Sequence, residues 1–264
     1  MPGFKHFGGS MGGAAGGGAG RRASLWLDFA RGVYRRNRQR LPLSSIFTAI
    51  AGGVNGTRVN DEGLIEAAVC PRFDYDPVTL AARGVLIEEQ RTNLLTYSAA
   101  FDNAAWTSVD APVTADAIAS PSGSTDADRI TSTAAFAAAS VSRLLTVADD
   151  TAIYSLGLFA KAGTLTSARI RAALIFGAIV TSSTDVDLAA GTLNATGEAP
   201  LAQAIAEYAS DWWRSWVAVQ NNASGNTGMA VQFYPGALNL GVTGNEGYWG
   251  AEVQAGSFMT NHIP

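Results

Sequence analysis

Residues 168–176 read Ala-Arg-Ile-Arg-Ala-Ala-Leu-Ile-Phe, and the alternation in that stretch decides the fold class. Ala168, Ile170, Ala172, Leu174 and Phe176 fall on one side of an extended chain, and Arg169, Arg171, Ala173 and Ile175 on the other. Successive side chains of a strand point to opposite faces, so the first set reads as core and the second as an outer face. The same period of two recurs at 129–133, 141–147, 153–161, 184–188, 202–208, 213–220, 229–234 and 248–254. Turn chemistry separates these runs: Pro121-Ser-Gly123, Ala162-Gly163, Ala190-Gly191, Asn222–Asn226 and Gly241–Gly247. About nine short strands with no helical pattern between them predict an all-β chain, an antiparallel β-sandwich of the jelly-roll type. Only 199–209, rich in alanine, would suit a helix as well.

Upstream of about Asn93 no period survives. Nine of the 29 glycines lie in the first 20 residues, where backbone entropy opposes a stable strand or helix. Short apolar patches then alternate with Gly32, Pro42, Gly52, Gly53, Gly56 and Gly63. The chain therefore divides into a Gly/Arg-rich arm (1–40), an extended linker or strap with a few short strands (41–95) and the sandwich (96–264). Charge divides it too. Residues 1–40 hold eight basic groups against the single acid Asp28, a balance of +7, whereas the remaining ten basic and 21 acidic groups give −11.

Several functions drop out. Cys70 is the only cysteine and cannot close an intramolecular disulfide, and two histidines near opposite ends, His6 and His262, do not make a zinc cage or a well-supported catalytic base. The longest uncharged apolar run, 172–180, is far shorter than the roughly 20 residues that span a bilayer, so no membrane insertion is expected. Phosphate-loop, nucleophile-elbow and HExxH motifs are missing. Glu88, Glu89, Asp211, Glu246 and Glu252 could pair as in a glycosidase, but solvated or ion-paired acids are the commoner case. Asp126-Ala-Asp128 and Asp185-Val-Asp187 offer oxygens of the kind calcium takes without the full loop spacing. No enzyme activity, metal or cofactor is assigned.

Two binding regions remain. Arg31 to Arg40 carries five arginines, and charge alone suggests nucleic acid. The apolar Trp26, Phe29 and Ile46 that flank it favour docking on a protein with acidic patches, so no nucleic-acid partner is assigned. Arg21, Arg22, Trp26, Arg35, Arg36 and Arg38 are the candidate docking residues. Four of the six tryptophans, Trp212, Trp213, Trp216 and Trp249, lie in the last 53 residues. Trp212 and Trp213 are adjacent in an extended run and should face opposite ways. An aromatic ring on the outer face of a β-sandwich grips the C–H face of a sugar, and loop Asn groups bond its hydroxyls. Trp106, Trp212, Tyr234, Asn222 and Asn226 are the candidate carbohydrate-binding residues, with burial in the core or a subunit interface as the competing reading of the tryptophans.

Pro71-Arg-Phe-Asp-Tyr-Asp-Pro77, Thr79 and Gly84-Val-Leu-Ile-Glu-Glu-Gln-Arg-Thr-Asn-Leu-Leu95 resemble a segment of tailed-phage and gene-transfer-agent virion proteins: tail fibres, head fibres and head spikes. Leu27-Asp-Phe29, Gly56–Gly63, Tyr248–Ser257 and His262-Ile-Pro264 extend the resemblance, although Glu252 and Gln254 stand in the reverse of that family's order. The resemblance implies a carbohydrate-module-like jelly roll after Leu95. A chain that stops after it resembles a head spike or head fibre more than a long tail fibre. It implies a homo-oligomer, trimeric or pentameric as its mount requires, on the virion surface, with other virion proteins and host capsular polysaccharide as partners. A tail fibre or baseplate component, or a capsid decoration protein without glycan binding, is the alternative. The polar run from Arg72 to Asn93 reads as a strap pinned against the sandwich.

Overall fold

The computed structural model describes residues 25–28, 33–36, 39–42, 56–68, 72–133, 139–237 and 242–264. The glycine arm, Arg21, Arg22, Arg38, Cys70, Asn239 and the Trp26 side chain lie outside the described residues. Two compact units are present, 1–88 and 89–264.

In the first unit β1 (Leu25–Asp28), β2 (Val33–Arg36) and β3 (Gln39–Arg40) form an antiparallel sheet. Two hairpins follow, β4 (Thr57–Val59) with β5 (Ile65–Ala67) and β6 (Phe73–Tyr75) with β7 (Ala82–Val85). The charged residues between them are spent internally. The buried Asp74 carboxylate accepts the Val59 N–H at 2.9 Å, Arg58 pairs with Glu66, and Arg72 bridges Glu88 at 3.1 Å and the Thr57 carbonyl. Asp76 caps the turn that follows it. Backbone N–H groups, that of Thr79 foremost, and Arg83 hold its carboxyl down at about 2 against the opposing effect of burial. The strap read from sequence therefore divides: Arg72, Asp74 and Asp76 bond Thr57, Glu88, Val59 and Arg83 within the first unit, while Arg91 and Asn93 bond the sandwich of the second.

The second unit contains β8 (Thr107–Val109), β9 (Val113–Ile118), β10 (Ala127–Ser132), β11 (Ser140–Thr146), β12 (Ile153–Ala162), β13 (Ser167–Ile175), β14 (Val180–Asp187), β15 (Thr192–Ala195), β16 (Ala202–Tyr208), β17 (Trp212–Gln220), β18 (Gly228–Pro235) and β19 (Gly244–Ala255). They form two six-stranded antiparallel sheets, β16-β17-β12-β19-β10-β9 and β15-β14-β13-β18-β11-β8. Among the described residues there is one 3-10 turn, Ala209–Asp211, and no α-helix. The fold is the all-β sandwich that the alternation predicts. Ile130, Leu156, Leu158, Ile170, Leu174, Val217, Val231, Phe233 and Val253 fill the space between the sheets, each 0–1% exposed. Burial on this scale drives the collapse.

Three strands escape the sequence pattern, and all three are sheet edges or lie next to one. β8 and β9 end their sheets with mostly exposed side chains, and β15 is short, so none shows a clean inward set. The alanine-rich 202–208 is a strand because it pairs along its whole length with β17. Gly244 to Gly247 belong to β19 rather than to a turn. A Cβ on Gly247 would meet Ile118 and Trp212, so glycine there lets the strand close against its neighbours. Phe176 departs from the inward set: β13 ends at Ile175, and Phe176 takes φ 87° with its ring 67% exposed.

Candidate functional site

The two sheets have very different outer faces. That of β17, β12 and β19 is buried under the rest of its own unit. β19 carries an irregularity against β12 beside Gly250, whose φ of 59° leaves room for His262 and Phe159 where a Cβ would intrude. Beyond it Trp249, Glu252 and Gln254 point outward with Phe159 of β12 and Arg214 of β17, and every one is buried. Residues 257–264 lie over them. His262 Nδ1 is 2.5 Å from Glu252, its ring lies 4.5 Å from that of Trp249, and Thr260 donates twice to Gln254. Arg214 completes an ion pair with Glu252 at 3.2 Å. Burial pushes the Glu252 carboxyl up, but Arg214 and His262 outweigh it and hold it below the usual carboxylate range.

Residues 89–95 finish this cover. Asn93 donates to the carbonyls of Ala251 and Ile263 and accepts the N–H groups of Val253 and Leu95. Arg91 donates to the Phe258 carbonyl at 2.6 Å and stacks over that ring. The sequence segments around Asn93, Glu252 and His262, which carry the resemblance, thus meet in one place and act as a clasp.

The outer face of β13, β14 and β18 carries no such cover among the described residues. Register sorts its side chains into rows. Asn194, Asp185, Arg169 and Tyr234 run across one row, and Ser183, Arg171, Gln232 and Ser142 across the next. Thr181, Ala173, Ala230 and Leu144 follow. The first two rows are locked. Arg169 is bidentate to Asp185, with its Nη2 contact at 2.8 Å, and Arg171 is bidentate to Glu198 at 2.7 and 2.8 Å while donating to Gln232 at 2.6 Å. Hydrogen bonding from Arg171 holds Glu198 at about 2 despite partial burial. Two guanidinium groups face two ionised carboxylates, so the face is polar, rigid and close to neutral. Arg169, Arg171, Gln232 and Tyr234 are half-buried and reach solvent.

The structure separates the sequence candidates. Trp212 is 0% exposed and its indole donates to the Ala119 carbonyl at 3.1 Å. Trp106 packs in the core against Phe101 and Phe233 and donates to Tyr97. Neither can offer a ring face to a sugar. Trp212 and Trp213 do point opposite ways, but Trp212 points beneath the neighbouring strands, while Trp213 is half-buried with its indole on the Leu188 carbonyl. Asn226 is fully buried and Asn222 exposed, and both tie down a hairpin: Asn226 accepts the Gly177 N–H, and both donate to the Ala178 carbonyl. Tyr234 alone of these candidates stands on the open face. Arg35 and Arg36 are exposed in β2, where Arg35 pairs in register with Trp26.

The acids do not converge. Glu246 and Glu252 point to opposite faces of β19, Glu88 is paired with Arg72, and Glu89 with Arg91. Glu246 is in the core, where burial pushes it up to about 8 and Gly236 N–H and the Tyr248 hydroxyl bond it. Asp185 is paired with Arg169 and Asp187 caps the turn at Ala189 and Ala190. No group of three potential metal ligands occurs among the described residues.

No family model matches the chain, and no curated protein does. Among solved structures it is similar to the enzymatically active domain of tailspike protein 4 of bacteriophage CBA120, at 14% identity and TM-score 0.39, over 62% of this chain and 21% of that one. It is also similar to TmCBM61, solved in complex with β-1,4-galactotriose, at 8% identity and TM-score 0.37, over 63% of this chain and 99% of that one. The fold assignment rests on the strand order and register given above.

Proposed function

We propose that this chain is a non-enzymatic virion adhesion protein, a head spike or head fibre. It docks on the particle through residues 1–40, on other virion proteins at a capsid vertex or the tail, and holds host surface polysaccharide with its sandwich. The observation that carries the binding half is the contrast between the faces. One is sealed by its own chain, and the other presents Arg169, Arg171 and Gln232, fixed by their partners, beside Tyr234 and Asn194, a set of polar groups of the kind that hydroxyl recognition uses. The docking half is supported by the +7 balance of residues 1–40 and by the exposure of Arg35 and Arg36. The protein works as a homo-oligomer on the virion surface.

Binding is tested by incubating the protein with host capsular polysaccharide. Retention without shortening of the polymer supports the reading; shortening would replace it with a depolymerase, and a glycan array without binding would favour a decoration protein. Docking is tested with the full-length Arg35→Glu/Arg36→Glu variant. It should fold but fail to incorporate into particles, and normal incorporation would sink the assignment.

A further inference from the structure

Phe176 and Ile179, at the tip of the β13–β14 hairpin, are the two most exposed large apolar side chains among the described residues, at 67% and 66%. Phe176 adopts φ 87°, a left-handed conformation unfavourable for a bulky residue, and such strain persists only where the surroundings enforce it. Here the enforcement is visible. Gly177 N–H donates to Asn226 Oδ1 at 3.0 Å. The Ala178 carbonyl accepts from Asn222 and Asn226, and Ala178 N–H reaches the Ser224 carbonyl. Asn226 in turn donates to Asn222 at 2.8 Å. The asparagine-rich loop is a clamp on this hairpin.

The clamp aims the ring. Gly228 opens the outward-pointing positions of β18, and a Cβ added there would collide with the Phe176 ring. The ring therefore lies on the open face, at the end opposite Tyr234. Six residue steps of β18 separate Gly228 from Tyr234, about 20 Å of strand. Between them Ala173, Ala230 and Gly228 keep the surface low, and Leu144, 55% exposed, borders it. The face is thus apolar at the Phe176 end and polar at the Tyr234 end. Both arginines of the polar end are already paired, and among the described residues no unpaired cation stands beside them on the face.

We propose that this face is a platform for an uncharged polysaccharide, with the Phe176 ring as its aromatic contact and Asn222 and Asn226 as positioning residues. The proposal rests on the glycan-binding reading above. An amphipathic ligand, C–H faces on one side and hydroxyl edges on the other, matches a face with an exposed ring and locked hydrogen-bonding groups. A uronate-bearing polymer would find its carboxylates opposed by Asp185 and Glu198, with guanidinium groups that are already occupied.

Phe176→Gly tests this directly, because glycine takes the positive φ without strain. The variant should hold or raise its melting temperature, yet lose about tenfold in affinity for uncharged capsular polysaccharide. Asn222→Ala should lose about threefold, and Phe176→Gly/Asn222→Ala no more than Phe176→Gly alone, as befits a residue that acts through the ring. Unchanged affinity of Phe176→Gly on a glycan the wild type binds would overturn the proposal and leave the adhesion reading standing. So would wild-type preference for polygalacturonate over uncharged galactan and glucan. If sedimentation shows that Phe176→Gly changes the oligomeric state, the ring is a subunit contact and the proposal fails. If the wild type binds no polysaccharide on a broad panel, both readings fall.

Discussion

The sandwich has two outer faces built from the same kind of strand, and they use charge in opposite ways. Under residues 89–95 and 257–264, Arg214, Glu252, His262 and Gln254 form a dry network with 6% exposure or less. On the open face Arg169–Asp185 and Arg171–Glu198 form equally regular pairs that stay in reach of water, with side chains 15–31% exposed. A buried charge must be paired because it has no solvent to fall back on, whereas a pair at the surface adds order more than stability. One network holds the fold together, and the other shapes a surface.

The largest effect should come from breaking the dry network. Arg214→Ala leaves Glu252 buried with only His262 and Gln254, and should cost about 3–5 kcal/mol of unfolding free energy in a denaturant titration. A loss below about 1 kcal/mol would mean that water already reaches this face. The core between the faces supplies a third reference. Glu246 has a folded pKa of about 8, above its ordinary value of 4.5. Its stability contribution is complete below pH 4.5 and is lost as pH rises through 8, because the unfolded state gives up the proton first. Glu246→Gln should flatten that slope and be the more stable protein at pH 9, by up to about 3–4 kcal/mol. Parallel pH profiles for the two proteins would exclude a buried, protonated Glu246.

The folding class could be read from Ala168 to Leu174, since the core set there is fully buried and the arginines do face out. Edge strands β8 and β9 could not, because a strand with no inward set has no alternation to read. The site was harder. Tyr234 is on the open face, but Trp106 and Trp212 are not, since a tryptophan count says nothing about which rings neighbouring strands will cover. The alternation puts Phe176 inward because it carries no sign of where a strand ends. Its cue was Gly177, the turn residue that follows it. Asn222 and Asn226 could be seen as loop residues, but their partners Gly177 and Ala178 lie 44 or more residues away.

Smaller changes sharpen the contrast between the faces. Asn93→Ala removes four hydrogen bonds of the clasp and should cost about 2–3 kcal/mol, read as a lower melting temperature with an unchanged β-sheet spectrum. Arg171→Ala on the open face should cost under about 1 kcal/mol, yet reduce polysaccharide retention. If Arg171→Ala proves as destabilising as Asn93→Ala, the open face is part of the structural frame and the distinction between the two surfaces fails.

The bond from Asn93 to the Ile263 carbonyl spans 170 residues of chain. Its consequence is that two segments far apart in the chain depend on each other for their place. The strands β12, β17 and β19 can pair without residues 257–264, but the ion pair of Arg214 with Glu252 is shut from water only when His262 and Ile263 are in place. The entropy of so long a loop is met by the pairing of the sandwich strands, so the clasp itself closes only the few residues between β19 and Ile263. The rings of Phe159 and Trp249 therefore owe their cover to the segment that carries His262, so the aromatic surface of this face is closed only once both distant segments are in place.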